Sequence, residues 1–176
     1  MVLATQNPLE QEGTYALPQA QLDRFLLNIV MDYPNEADEV RLVQQVTNGQ
    51  VGDQLDVSTL NVLFDPERIQ TLQELTALVH VDEAVLDYIV RIVRTTRQWQ
   101  GLEAGAGPRA AIALTRCARA HALAAGHPFV TPDDVKTVCL PVLRHRVRLS
   151  PDLEIGGQHV DEILQQLVNS VVAPRE

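Results

Sequence analysis

Three polar residues stand where the pattern around them suggests chemical work. Asn7 follows the apolar run Met1–Thr5 with only Gln6 between, at the carboxyl end of an expected strand, where open α/β sheets bind ligands. An Asn-Pro turn with Pro8 is the competing reading. Arg24 closes a short helical turn just ahead of a second apolar run, Phe25–Met31; a local pair with Asp23 competes there. Arg109 sits beside Pro108 in the first turn of an expected helix, where the macrodipole disfavours a cation. Helix N-termini bind phosphates, so an arriving anion would explain it, against the alternative of a side chain reaching into solvent.

Other patterns carry less. Leu78-Val79-His80-Val81 followed by Asp82-Glu83 has the outline of a Walker B strand. Such a strand works with a Gly-x4-Gly-Lys-Ser/Thr loop, and Lys136, the only lysine among 14 basic residues, lies near no such glycines. The apolar spacing on both sides of Asp82 is helical, which makes Asp82 a helix cap. The five histidines show no metal-ligand spacing, so no metal site is expected, and no Gly-x-Ser-x-Gly elbow occurs. Cys117 and Cys139 lie apart without a second pair. This excludes a disulfide framework and suits a reducing, cytoplasmic compartment.

The elements that must position these residues fall into two styles. Met1–Thr5 and Phe25–Met31 read as short buried strands, joined by an irregular loop and a helical turn beginning at Gln19. They suit the tail end of an α/β domain, and a parallel sheet needs more strands than two. From Asn35 the period becomes 3.6. Asn35, Asp65-Pro66, Asp82, Pro108 and Thr131-Pro132-Asp133-Asp134 open helices by cap or proline. A last amphipathic helix runs from Val160, and Pro141 should kink or shorten the one before it. Six helices are expected after residue 35. The fold class is therefore mainly α, with residues 1–34 a strand-bearing piece and residues 35–176 a helical domain.

Hydrophobic residues make up 45% of the 176 and aromatics only 4%, so Leu, Val, Ile and Ala must build the core. No apolar run reaches the roughly 20 residues of a membrane span. The net charge of −9 is uneven: residues 1–90 carry 3 basic against 15 acidic residues, whereas residues 91–148 carry 10 against 3. A basic middle on an acidic chain marks an anion site, a partner surface or a solvated helix face.

Ala4-Thr5-Gln6-Asn7-Pro8-Leu9-Glu10-Gln11-Glu12-Gly13-Thr14-Tyr15, followed by Leu17-Pro18 and Leu22-Asp23-Arg24-Phe25, resembles the MoxR family of AAA+ ATPases. Gly105-Ala106-Gly107-Pro108-Arg109-Ala110 resembles that family's second sensor, with Gly107 where a serine more often stands. Val130–Lys136 and Val142-Leu143-Arg144-His145-Arg146 resemble its C-terminal lid. The resemblance implies a helical-bundle AAA+ lid preceded by the last two strands of the α/β nucleotide-binding core. The Walker A and B motifs would lie upstream of Asn7. It further implies that Asn7 is the first sensor, Arg24 the arginine finger acting on a neighbouring subunit's nucleotide, and Arg109 the second sensor.

ATP and Mg2+ would serve the full-length protein, while this chain alone is expected to be inactive. The implied partners are copies of itself in a hexameric ring and von Willebrand factor A domain proteins; the implied work is chaperone-like assembly or maturation of other proteins. Without the central strand of the core, residues 1–31 are expected to be rearranged, disordered or engaged in a homodimer. An alternative is a helical adaptor, or a nucleic-acid module using Arg91, Arg94, Arg97, Arg144, Arg146 and Arg148. The acidic balance and the scarcity of stacking aromatics weigh against nucleic acid.

Overall fold

The computed structural model describes residues 2–6, 17–48 and 60–174. Packing divides the chain into two compact units, Met1–Asn28 with Thr76–Glu176, and Ile29–Leu75. They are cut elsewhere than at the expected 34/35 boundary.

In the larger unit, α1 (Gln19–Leu22) precedes α4 (Glu83–Thr96), β1 (Leu102–Ala104), α5 (Pro108–Ala124), α6 (Pro132–Leu143), β2 (Arg148–Leu149), α7 (Pro151–Ile155) and α8 (Val160–Ser170). Asp82 caps α4 by accepting from the Ala84 N–H at 2.8 Å, as the helical spacing around it implied. Thr131 and Asp134 form a reciprocal capping box on α6. Gly126, at φ 79°, ends α5 in a conformation that L side chains rarely adopt.

The core is one apolar cluster whose largest members are Tyr88, Ile89 and Ile92 of α4, Leu114 of α5, Leu143 of α6 and Leu164 of α8. The buried face of α5 is mostly alanine, with Ala110, Ala113, Ala118 and Ala122. Small side chains let its backbone approach α6, its main packing partner. Cys117 and Cys139 serve as buried apolar residues. Burial pushes the Cys117 thiol up to about 11 and the Cys139 thiol up to about 12, so neither is a ready nucleophile.

The smaller unit holds α2 (Glu36–Thr47) and most of α3 (Pro66–Leu78). Asn35 caps α2 and Asp65 accepts the Arg68 N–H at 2.7 Å, yet neither helix buries a single described side chain.

Three expectations need correction. Neither Val2–Gln6 nor Phe25–Met31 is a strand; both lack regular structure and their apolar residues are largely exposed, Leu26 at 47% and Leu27 at 38%. A strand exists only where a neighbour takes its backbone groups, and no described segment lies alongside either run as a ladder. Second, seven helices follow residue 35 among the described residues, because Ser150-Pro151 opens the extra short α7. Third, β1 pairs antiparallel with β2, Leu102 opposite Leu149, where no strand was expected. Pro141 does shorten α6, which ends two residues later.

Candidate functional site

The positions singled out for anion chemistry gather around one carboxylate. Asp23 follows α1 directly as its C-terminal cap. Its Oδ2 accepts from Arg109 Nη1 at 2.9 Å and its Oδ1 from Arg146 Nε at 3.1 Å. The three side chains differ sharply in burial. Arg146 is 2% exposed, Asp23 28% and Arg109 57%.

Arg146 is placed by the end of α6. Every N–H of its guanidinium finds an acceptor: Asp23 Oδ1, the carbonyls of Asp23, Phe25 and Leu26, and the Val142 carbonyl at the frayed end of α6. Burial lowers its pKa from the ordinary value, and the Asp23 carboxylate opposes that shift. Its neighbours extend the grip. His145 Nε2 meets the Phe25 carbonyl at 3.1 Å, Arg144 Nη1 donates to the Asn28 carbonyl at 3.1 Å, and the Asn28 N–H donates to the Pro141 carbonyl at 2.8 Å. Arg144 is itself anchored on Asp161 of α8 at 2.8 Å. Side chains thus take the carbonyls of Asp23, Phe25, Leu26 and Asn28, which a neighbouring strand could otherwise have taken.

A carbonyl can only accept, so His145 Nε2 carries the proton. Nδ1 is buried with no partner among the described residues. Burial lowers the His145 pKa from 6.5, opposed by the Phe25 contact and helped by Arg146. Burial thus favours the neutral form of the ring.

Arg109 occupies the first turn of α5, and the turn ahead of it is fixed from α4. Thr96 Oγ1 accepts the Ala106 N–H at 2.9 Å, and Arg97 Nε donates to the Ala106 carbonyl at 2.9 Å. A Cβ on Gly105 would lie 2.5 Å from the Arg97 Cα, so only glycine permits that approach. The anion that offsets the unfavourable dipole at Arg109 is Asp23. Because Asp23 is shared by two guanidiniums, the node keeps a surplus positive charge, and Arg109 carries it toward solvent.

Arg24 does not pair with Asp23. It is exposed and has no partner among the described residues. Asn7 lies outside the described residues. Asp23, Arg144, His145 and Arg146 were missed as a site by sequence reasoning; a dense basic triplet just past a helix-ending proline, facing an acidic N-terminal stretch, was the available signal. Among the described residues no group of three His, Cys, Asp or Glu could hold a metal, and no helix is long and apolar enough to cross a membrane.

The profile of the AAA lid domain matches residues 94–167, and that of the ATPase family associated with various cellular activities matches residues 1–27. Protein YeaC of Bacillus subtilis is 37% identical over 175 residues, covering 98% of this chain and 52% of YeaC. Chaperone MoxR1 of Mycobacterium tuberculosis is 34% identical over 184 residues, covering 99% of this chain and 47% of MoxR1. These matches support a MoxR-type AAA+ ATPase.

A crystal structure of a candidate ATPase from Cytophaga hutchinsonii superposes on this MoxR-type chain with a TM-score of 0.84 at 30% identity, covering 98% of this chain and 53% of that one. The chain spans about half the length of the relatives it matches. The Asp23 node joins the two matched stretches, since Asp23 and Arg24 lie in the first and Arg109, Arg144 and Arg146 in the second.

Proposed function

We propose that this chain is the sensor-and-lid part of a ring-forming MoxR-type ATPase, which couples nucleotide turnover to chaperone-like assembly or maturation of partner proteins. In this reading Asn7 is the first sensor, Arg24 the arginine finger and Arg109 the second sensor. The observation that carries it is the division of labour at one node. Asp23 is held by Arg109 and Arg146, which leaves Arg24 exposed and without a side-chain partner among the described residues, available to a neighbouring subunit.

The residues present fit a nucleotide only in part. Arg24 and Arg109 are two guanidiniums with solvent access, suited to phosphate oxygens. The sequence contains no phosphate loop, and Lys136 pairs with Asp133 at 3.1 Å. ATP with Mg2+ would supply the γ-phosphoryl group. Arg109 would contact phosphate from the lid, and Arg24 would stabilise charge developing on a neighbour's nucleotide. By itself the chain is proposed to bind ATP weakly and not to turn it over. Two buried free thiols suit a reducing compartment, in keeping with work in the cytoplasm. Von Willebrand factor A domain proteins are the proposed partners, as the resemblance implies.

Mutation of the finger tests this reading. In the full-length protein Arg24→Ala should lower turnover by about 10³–10⁵-fold with nucleotide affinity nearly unchanged. Mixing those subunits with subunits that bind but cannot hydrolyse ATP should restore part of the activity. Wild-type turnover in the variant, or rings that show no rescue in mixtures, would remove Arg24 from the site.

A further inference from the structure

A groove of about 580 Å³ lies between the C-terminal ends of α4 and α8, with Arg91, Arg94 and Arg97 on one side and Ser170, Val171 and Val172 on the other. Several arginines elsewhere in this chain have a carboxylate partner, such as Arg41 with Asp38, Arg68 with Asp65 and Arg148 with Glu103. Among the described residues none of the three groove arginines has a carboxylate partner. Arg91 lies over the Tyr88 ring at 5.8 Å, Arg97 donates its Nε to Ala106, and Arg94 does neither.

Cations three residues apart on a helix repel one another. The negative end of the α4 dipole favours cations only in the last turn; this covers Arg94 and leaves Arg91 unexplained. An anionic ligand relieves the repulsion. The opposite wall selects its kind, because Val172 is 71% exposed beside the Ser170 hydroxyl. A ligand carrying both carboxylates and apolar side chains matches the two walls. Single-stranded nucleic acid would need stacking faces, and Tyr88 is buried while Trp99 is half-buried.

The groove also adjoins the Arg109 turn. Arg97 lines the groove while its Nε holds the Ala106 carbonyl, and Thr96 holds the Ala106 N–H. Ala106 stands directly before Gly107, the cap residue of α5. A ligand that fixes the Arg97 guanidinium therefore tightens the turn that carries Arg109.

We propose that this groove binds an acidic, partly apolar peptide segment of a partner protein, and that its occupancy is transmitted to the Arg109 turn through Arg97. The binding goes beyond the ATPase reading. The transmitted effect takes its meaning from Arg109 as a nucleotide sensor, but its test needs no nucleotide, so the two can fail separately.

The probe is a labelled peptide of Glu-Glu-Leu repeats, followed by fluorescence anisotropy with this chain. Binding is expected to weaken as salt rises and to fall about tenfold or more in the R91E/R94E double variant. Arg148→Glu, outside the groove, should stay within about twofold. Should the double variant melt early, Arg94→Gln alone replaces it, since the Arg94 side chain makes no hydrogen bond or ion pair among the described residues. No binding at low salt, an equal loss in Arg148→Glu, or stronger binding of a random-sequence DNA duplex overturns the proposal. Amide hydrogen exchange across residues 105–110 should slow when the peptide is bound. Unchanged exchange with the peptide bound overturns the link to Arg109.

Discussion

Residues Glu83–Ser170 and Ile29–Leu75 are built from the same kind of helix. Both regions use Asn, Asp or Thr caps, both place acidic residues in the first turn, and both carry apolar residues at helical spacing. In the first region Tyr88, Leu114, Leu143, Leu164 and Leu167 disappear from solvent, whereas in α2 and α3 no described side chain is buried. Cap and period make a helix; a second apolar face at the right distance makes a core. The stability of the chain is therefore concentrated in α4, α5, α6 and α8.

The largest effect that could break this contrast is a truncation in each region. Leu164→Ala should cost about 2–5 kcal/mol by removing buried methyl groups and leaving a cavity. Ile69→Ala, at a residue of α3 that is 43% exposed, should stay within about 0.5 kcal/mol. Chemical denaturation of both variants checks this, and comparable losses would mean that α3 has a packed partner in solution.

Caps sharpen the contrast. Thr131→Ala removes a capping-box hydroxyl that bonds both the Asp134 N–H and its carboxylate, on a helix packed into the core. It should lower global stability by about 1 kcal/mol. Asn35→Ala removes the equivalent bond to the Asp38 N–H, but should only fray α2. Amide exchange in α2 would accelerate while the melting temperature of the chain stayed put.

The smallest expected effect is the dependence on pH. His145 has its pKa lowered in the folded state, so the unfolded chain takes up a proton first as acid is added. The stability it contributes is complete above about 6.5 and declines as pH falls below that. Asp134 acts in a lower window. Its burial would raise its pKa, but the Thr131 hydroxyl and N–H and the His121 contact outweigh it, and the net shift is downward from 3.8. Its contribution is present above 3.8 and is lost as pH falls through the lower folded value. Both groups belong to the larger unit. Melting followed against pH should show a first decline below about 6.5 that His145→Gln removes and Asp134→Asn does not.

Much of the helical architecture was readable locally. Asp82, Pro108 and Thr131 each announce a helix start by chemistry that acts over two to four residues, and each start lies where the sequence indicated. The short α7 escaped because a five-residue helix leaves no period to read. The pairing of Leu102 with Leu149 escaped because it spans a whole helical hairpin.

Phe25–Met31 shows why strands are harder to read than helices. Its apolar, β-prone composition describes a segment fit for a sheet, but a helix closes its hydrogen bonds within itself and a strand cannot. What occupies the carbonyls of Asp23, Phe25, Leu26 and Asn28 is Arg144, His145 and Arg146, more than a hundred residues away. The site divides the same way. Sequence alone determined that Arg109 stands at a helix N-terminus wanting an anion, because that position follows from Pro108 and the period. Only the tertiary structure decided that the anion is Asp23, that Arg146 is buried against it and that Arg24 pairs with neither Asp23 nor any other described residue, since a charge finds its partner through space and the chain order does not record which one.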